Sequence, residues 1–227
     1  MSTQFRLPLT AAPNYGREDF AVSGCNADAL AQLDAWPSWP EGRLALVGPA
    51  GSGKTHLARA WAARADAVVI AADEPQAPDL PALRGRAILV EDADRREGGL
   101  SDEALFHILN MAGVDGGSVL LTARVAPLAW GSSVPDLRSR LNALPVAAIA
   151  EPDDVVLKAV LERAFRAEHL KPDPDLYPYL IARLPRSAAE ALAAVTLLDE
   201  AAAQHHRAVN KALAREVLGD LEGDEDD

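Results

Sequence analysis

The sequence predicts an α/β fold in which a five-stranded parallel sheet is followed by a small all-helical lid domain. Residues 44–60 read LALVGPAGSGKTHLARA, so a short apolar run leads into a glycine-rich loop and then into a helix. Short apolar runs alternate with helical patterns as far as residue 150, which is typical of a parallel sheet. Beyond residue 151 the strand patterns stop and helical patterns follow one another.

Short apolar runs supply the predicted strands. They are the run before the glycine-rich loop and residues 67–72, 86–94, 118–122 and 146–149. Helices are predicted at residues 27–33, directly after the glycine-rich loop, and at residues 100–113 and 136–144. Asn26 precedes the first of these helices and is a suitable N-cap. The lid helices are predicted at residues 153–169, 175–184, 187–208 and 210–218, with Pro172, Pro174, Pro185 and Asn210 between them.

The same patterns divide the chain into segments. Residues 1–16 contain two prolines and no helical or strand period, which favours an extended arm, with a frayed terminus as the alternative. Residues 17–150 form the predicted α/β domain and residues 151–218 the lid. Residues 219–227 carry six acidic side chains, so we expect a disordered tail; a basic partner or repulsion of DNA is the alternative.

The net charge limits the classes of function. Asp and Glu number 34 against 22 Lys and Arg, which gives a net charge of -12. Bulk charge therefore argues against nonspecific binding to nucleic acid. No apolar run approaches the ~20 residues of a membrane span, and the first ten residues lack the basic start and apolar centre of a secretory leader. We therefore expect a cytoplasmic protein that does not contact a membrane.

The single cysteine, Cys25, excludes an internal disulfide framework. No second cysteine or histidine lies near it at the spacing of metal ligands. We expect Cys25 to be a small core residue without a catalytic or metal-binding role.

The glycine-rich loop has the chemistry of a phosphate-binding site. Gly48, Gly51 and Gly53 can adopt backbone angles closed to other residues, so successive amide N–H groups can face phosphate oxygens. Lys54 would place its charge at the β- and γ-phosphates, and Thr55 would offer a hydroxyl to Mg²⁺. The positive end of the following helix adds to this attraction. The alternative is a glycine-rich turn with a solvated lysine.

Acidic side chains follow the third predicted strand and supply the other half of a nucleotide site. Glu91 and Asp92 end the run ILVED, and open parallel sheets bind ligands beyond the carboxyl ends of their strands. These carboxylates could hold Mg²⁺ through its waters and orient an attacking water, or simply form a solvated acidic turn. Thr122 ends the fourth strand, where it either senses the terminal phosphate or is an ordinary strand end.

Taken together, these motifs resemble a known family. FAVSGCNADAL, GPAGSGKTHLARA, ILVEDAD, SVLLTAR and PDLRSRL are similar in order and spacing to the AAA+ proteins of the bacterial replication-initiator group. The chain looks like the AAA+ and lid portion of the initiator DnaA, ending where a DNA-binding helix-turn-helix domain would begin. With its Gln-x-x-Leu-Pro-Leu arm it resembles the Hda family, regulators that inactivate DnaA. The resemblance covers residues 4–218.

The resemblance implies an AAA+ P-loop NTPase fold, bound ADP or ATP, Mg²⁺, and a set of site residues. The implied nucleotide-binding residues are Phe20, Asn26, Gly48, Pro49, Ala50, Gly51, Ser52, Gly53, Lys54, Thr55, His56, Glu91, Asp92, Thr122 and Arg186. The implied Mg²⁺ ligands are Thr55 and Glu91. The implied docking peptide for the sliding clamp, the β subunit of DNA polymerase III, is Gln4, Phe5, Leu7, Pro8 and Leu9. Arg140 falls on the arginine finger, which acts in trans on ATP held by DnaA.

Departures from the family pattern bear on hydrolysis by the chain's own site. Glu91 precedes Asp92 where DnaA has two aspartates, and Ala123 and Arg124 follow Thr122 where an acid is frequent. Ala189 stands at the position expected for a second sensor arginine, which leaves Arg186 as the nearby substitute.

We therefore expect a negative regulator of replication initiation that keeps ADP, docks on the clamp and stimulates hydrolysis of DnaA-bound ATP. The resemblance leaves open whether the protein also forms a homo-oligomer. The alternatives are an AAA+ ATPase or helicase-loader-like protein that turns over its own ATP, and a binding module that stimulates no hydrolysis. Direct, sequence-specific binding to DNA is not expected.

Overall fold

The computed structural model describes residues 15–73, 79–95 and 99–219. Within these ranges the strands form one parallel sheet in the order β2-β3-β4-β1-β5. The strands are β1 (Arg43–Val47), β2 (Val68–Ala71), β3 (Ala87–Glu91), β4 (Ser118–Ala123) and β5 (Val146–Ala148). The predicted five-stranded parallel sheet is confirmed. The third strand is shorter than predicted because Asp92 adopts a left-handed conformation with φ of 51° directly after Glu91.

Helices cover both faces of the sheet. In this part of the chain they are α1 (Ala27–Asp34), α2 (Lys54–Ala65), α3 (Asp102–Met111) and α4 (Pro135–Asn142). Side chains of α1 and α2 share a hydrophobic cluster with Leu46 and Leu89, whereas α3 and α4 share another with Val47 and Val90. Neighbouring residues on a strand point to opposite faces, so the sheet is the middle layer of three.

Tryptophans strengthen the α2 face. Trp61 of α2 stacks on Trp39 with ring centroids 5.1 Å apart and meets Trp36 edge to face at 6.2 Å. Trp39 and Trp61 are almost fully buried. This cluster fixes the start of β1 against the helix that follows the phosphate loop.

The helices after β5 enclose a hydrophobic cluster of their own, as predicted for the lid. They are α5 (Asp154–Ala167), α6 (Leu176–Arg183), α7 (Ala188–His205) and α8 (Lys211–Leu218). Side-chain oxygens of Asp153, Ser187 and Asn210 accept backbone N–H groups at the starts of α5, α7 and α8. Apolar stripes and caps together explain why these short helices pack into one small bundle.

The environment of Cys25 differs from the prediction. Its side chain is partly exposed and lies outside the hydrophobic clusters, with Sγ 3.0 Å from Oγ of Ser23. Cys25 lies in the turn that precedes α1 and is close to the surface, so the prediction that it is a core residue is wrong.

Within the described ranges, no helix combines the length and the apolar character needed to cross a membrane.

Candidate functional site

The loop at residues 48–53 connects β1 to α2 and has the backbone of a phosphate cradle. Gly51 and Gly53 have φ of 70° and 93°, a region that favours glycine. A Cβ on Gly48 would lie 2.5 Å from the carbonyl oxygen of Ile149, so close approach to β5 also requires glycine there. Pro49 and Ala50 complete the turn. Ser52 is buried, and its Oγ has no hydrogen-bond partner among the described residues, which leaves a polar atom available inside the cradle.

Lys54 closes the loop from the first turn of α2. Its Nζ donates hydrogen bonds of 2.7 Å to the carbonyl oxygens of Gly48 and Pro49. Burial lowers the pKa of Lys54, while the charges of Asp92 and Asp94 act in the opposite direction. The ammonium group thus lies where phosphate oxygens would accept the same hydrogen bonds.

Phe20 and His56 border the loop on one side. The Phe20 ring lies against Gly53, where an added Cβ would be 2.8 Å from the ring, and its centroid is 5.7 Å from that of His56. His56 Nε2 is 2.8 Å from the carbonyl oxygen of Gly16, and the Tyr15 ring meets the imidazole edge to face. An apolar wall therefore stands beside the phosphate cradle, as a base or ribose would require.

Asn26 lies near this wall, but its side chain is already engaged. Nδ2 donates to the carbonyl oxygen of Ala21 at 2.9 Å, and Oδ1 accepts from the amide of Ser23 at 3.0 Å. The residue is buried and holds the 21–23 turn in place. The expectation that its side chain caps α1 is wrong, because these turn contacts use its polar atoms. Asn26 therefore holds the turn that follows Phe20.

Of the two expected Mg²⁺ ligands, Glu91 already has a cationic partner within the protein. Thr55 is exposed on the first turn of α2, but the Glu91 carboxylate accepts a hydrogen bond from Arg59, one turn further along the same helix. This hydrogen bond raises the pKa of Arg59. Among the described residues, no group of three or more His, Cys, Asp or Glu side chains could hold a metal ion. A guanidinium therefore already neutralises the carboxylate that the sequence assigns to Mg²⁺.

Asp92 and Thr122 form a second contact at the carboxyl ends of β3 and β4. The Asp92 amide donates to Thr122 Oγ1 at 3.0 Å, and Thr122 is almost fully buried. Asp92 has a φ of 51°, an uncommon conformation for a residue with a side chain. Its negative charge partly offsets the effect of burial, which lowers the pKa of Lys54, so the acid and the phosphate-loop lysine share one electrostatic environment.

Some charged residues near the phosphate loop are not predicted by any sequence motif. Asp94 Oδ2 accepts the amides of Arg124 and Val125 at 2.9 and 3.3 Å, which fixes the turn after β4. The positive charge of Arg124 lowers the pKa of Lys54. Arg124 and Arg59 could have been noticed as basic residues directly after a strand end and on the phosphate-loop helix, but no motif singles them out.

The lid reaches the phosphate loop at the start of α7. The Ala188 amide donates to the Gly51 carbonyl at 2.9 Å, and Ser187 Oγ would be 2.0 Å from a Cβ on Gly51. Arg186 instead points away and pairs with Asp154 at the exposed start of α5. The expected substitute for a second sensor arginine is therefore engaged in a surface ion pair within the lid.

Arg140 lies far from the chain's own phosphate loop. It is near the end of α4, with its guanidinium 5.8 Å from the centroid of the Phe106 ring on α3. Burial lowers the pKa of Arg43, the first residue of β1; Glu41 opposes this effect, and the charge of Arg140 adds to it. Since the phosphate loop follows the other end of β1, roughly 13 Å of strand separates the two places. Arg140 is therefore not part of the chain's own phosphate cradle.

The proposed clamp-docking residues, Gln4, Phe5, Leu7, Pro8 and Leu9, lie outside the described residues.

Comparisons with known proteins support the fold. No protein-family model matches the chain. The chain is 28% identical over 137 residues to the chromosomal replication initiator protein DnaA of Desulfotalea psychrophila, a match that covers 60% of this chain and 29% of that protein. The chain thus spans less than a third of the curated relative that it matches.

Solved structures match over most of the chain. Domain III of DnaA from Thermotoga maritima superposes with a TM-score of 0.78 and 18% identity, covering 92% of this chain and 97% of that one. A DnaA structure bound to AMPPCP and single-stranded DNA gives a TM-score of 0.69 at 19% identity, covering 86% and 69%. A variant of RuvB from Thermotoga maritima gives 0.71 at 16% identity, covering 92% and 72%. The chain has the AAA+ fold of DnaA domain III, and helices α5 to α8 follow the sheet.

Proposed function

We propose that this protein is an adenine-nucleotide-binding regulator of replication initiation of the Hda type. In this role it keeps ADP at its own site, docks on the sliding clamp through Gln4 to Leu9 and stimulates hydrolysis of ATP bound to DnaA. It does not recognise a DNA sequence itself, and it acts in the cytoplasm without contacting a membrane. The similarity to DnaA in sequence and fold supports the assignment to replication initiation.

Nucleotide binding rests on the geometry of the phosphate loop. Left-handed glycines, the buried Lys54 ammonium and the Ser52 hydroxyl lie together at the start of α2; the hydroxyl has no hydrogen-bond partner among the described residues. Among the matched structures, a DnaA protein is described as bound to AMPPCP, an adenine nucleotide analogue. We assign the same class of ligand to this loop, with the Phe20 and His56 rings beside the base or ribose.

The position of Arg140 carries the proposal of action in trans. Its guanidinium lies against Phe106, at the end of the sheet away from the phosphate loop. Its own phosphate loop follows the other end of β1, so in this proposal Arg140 acts on a nucleotide held by a partner stacked on this face. A guanidinium supplied in trans stabilises charge on a transferring phosphoryl group, with effects on the order of 10³ to 10⁵ in rate.

The decisive experiment measures conversion of labelled ATP to ADP on purified DnaA in the presence of clamp-loaded DNA. The wild-type protein should accelerate this conversion, and Arg140→Ala should abolish the acceleration. Arg138→Ala is the matched control, because Arg138 is exposed on the same helix. Equal stimulation by wild type and Arg140→Ala would contradict the trans-acting arginine.

The docking peptide requires a test of its own. A variant with Gln4→Ala and Leu7→Ala should lose binding to immobilised clamp while keeping nucleotide binding, since the phosphate loop is untouched. Normal clamp binding by this variant would contradict the docking half of the proposal.

An AAA+ ATPase or helicase-loader-like protein that hydrolyses its own ATP is the second candidate. The Asp92 charge acting on Lys54 favours it, because an acid and a phosphate-binding lysine then share one site. Steady-state hydrolysis by the isolated protein that disappears in Lys54→Ala would establish this function. Inhibition of DnaA without stimulated hydrolysis would instead identify a binding module.

A further inference from the structure

We infer that Arg59 takes the place of the divalent cation opposite Glu91, so that this chain binds adenosine diphosphate without requiring Mg²⁺. The inference rests on the proposed nucleotide site and deepens it. Most nucleotide sites of this shape balance phosphate and carboxylate charge with a metal ion. Here a side chain of the protein supplies that balance.

The pair itself is the first observation. Arg59 Nη2 donates to Glu91 Oε2 across 32 positions of sequence, from α2 to the end of β3. The Glu91 side chain is only 14% exposed. Its second oxygen, Oε1, is buried and has no hydrogen-bond partner among the described residues. A buried carboxylate needs a compensating charge, and the arginine provides it.

The place of the pair is the second observation. Arg59 follows Thr55 by one helical turn, so the two side chains share a face of α2. Glu91 is followed by Asp92, whose charge acts on Lys54. The pair therefore adjoins, along α2 and β3, the hydroxyl of Thr55 and the carboxylate of Asp92.

Charge balance gives the expected consequence. With Arg59 present, the pair is neutral and does not repel a polyphosphate. An arginine stays protonated at every accessible pH, so the neutralisation is permanent. Mg²⁺ at the remaining Glu91 oxygen would lie beside the guanidinium, whose positive charge repels it. Without Arg59, the free carboxylate would repel phosphate oxygens, and a divalent cation would be needed to offset it.

The test is the affinity of the full chain for fluorescent ADP in excess Mg²⁺ and in excess EDTA. Wild type should bind with similar affinity in both buffers. Arg59→Gln should bind at least about tenfold more weakly in EDTA than in Mg²⁺, because the Glu91 charge is then unbalanced. Adding Glu91→Gln to this variant should bring the two affinities together again. Arg64→Ala is the control, since Arg64 lies on the same helix in an exposed pair with Asp34.

The outcomes separate the inference from the proposed function. Wild-type affinity that falls tenfold or more in EDTA would overturn the inference and leave nucleotide binding intact. A folded wild-type protein that binds no adenine nucleotide in either buffer would overturn the proposed site itself. If Arg59→Gln lost its native circular dichroism, the wild-type comparison alone would still decide for or against the inference.

Discussion

The amide of Ala188 donates a 2.9 Å hydrogen bond to the carbonyl oxygen of Gly51. This contact joins the first turn of lid helix α7 to the phosphate loop, across more than 130 residues of sequence. A backbone hydrogen bond therefore ties the start of the lid helix to the loop. Any ligand that moves the loop must also move, or be accommodated by, the start of α7.

The Gly51 position tests this contact. Gly51→Ala should destabilise the protein and weaken nucleotide binding, because a Cβ there would lie 2.0 Å from Ser187 Oγ and φ is 70°. Gly116→Ala is the matched control, since Gly116 has a φ of 83° and nothing lies within 4 Å of an added Cβ. The control should show only the backbone term, about 1 kcal/mol. Thermal unfolding measures the stability of each variant, and binding of fluorescent ADP measures its nucleotide affinity. Equal losses of stability and affinity in the two variants would contradict a tight lid contact.

The hydroxyl of Thr122 should matter for stability because it accepts the amide of Asp92. Thr122→Val leaves that amide without an acceptor and should cost about 1–3 kcal/mol. Thr122→Ser keeps the acceptor and should therefore be more stable than Thr122→Val, close to wild type. Urea unfolding compares the three proteins. A serine variant as unstable as the valine variant would indicate that the methyl group, and not the hydrogen bond, carries the effect.

The tryptophan cluster allows hydrogen bonding to be compared by making the same substitution at two buried sites. Trp39 Nε1 donates to the carbonyl oxygen of Gln32 at 2.9 Å, whereas Trp61 Nε1 is buried without a partner among the described residues. Trp39→Phe should therefore cost more stability than Trp61→Phe, by about 1 kcal/mol. Trp61→Ala should cost about 3–5 kcal/mol through the cavity it leaves. Chemical denaturation followed by circular dichroism gives the order, and a reversed order of the two phenylalanine variants would contradict the assignment.

Asp153 should make stability depend on pH. Its hydrogen bond from the Val156 amide, followed by one from Ser23, lowers the pKa of this carboxyl below its usual 3.8. A lowered folded-state pKa means that the stabilisation is present above about pH 4 and is lost as the pH falls through the folded-state pKa. Asp153→Ala should cost about 1 kcal/mol at pH 7 through loss of the α5 cap.

The difference between wild type and Asp153→Ala should therefore shrink as the pH falls below about 4. Urea unfolding at a series of pH values measures it. A difference that stayed constant down to acid pH would show that the carboxylate charge contributes nothing.

Much of the fold was predictable because its signals are local. The apolar runs and the glycine-rich loop lie within single elements, and their order along the chain implies parallel strands. The lid helices carry their own caps, as at Ser187 and Asn210, so their starts were predicted to within about two residues.

The partners of the charged residues were not predictable in the same way. Arg59 and Arg163 each have acidic residues at several sequence separations, and only the packing of helices on the sheet selects Glu91 and Asp19. The same applies to Asn26, whose polar atoms turn towards Ala21 and Ser23 and not towards a helix end or an open pocket.

By itself the sequence determined the phosphate loop, the parallel α/β sheet and the all-helical lid, because short-range periodicity and glycine conformation fix these. Only the tertiary structure decided that Glu91 is neutralised by Arg59, that Arg186 pairs with Asp154, and that Arg140 lies at the opposite end of the sheet from Lys54. Electrostatic pairing depends on distance in space, and distances between residues far apart in sequence are set only when the layers pack.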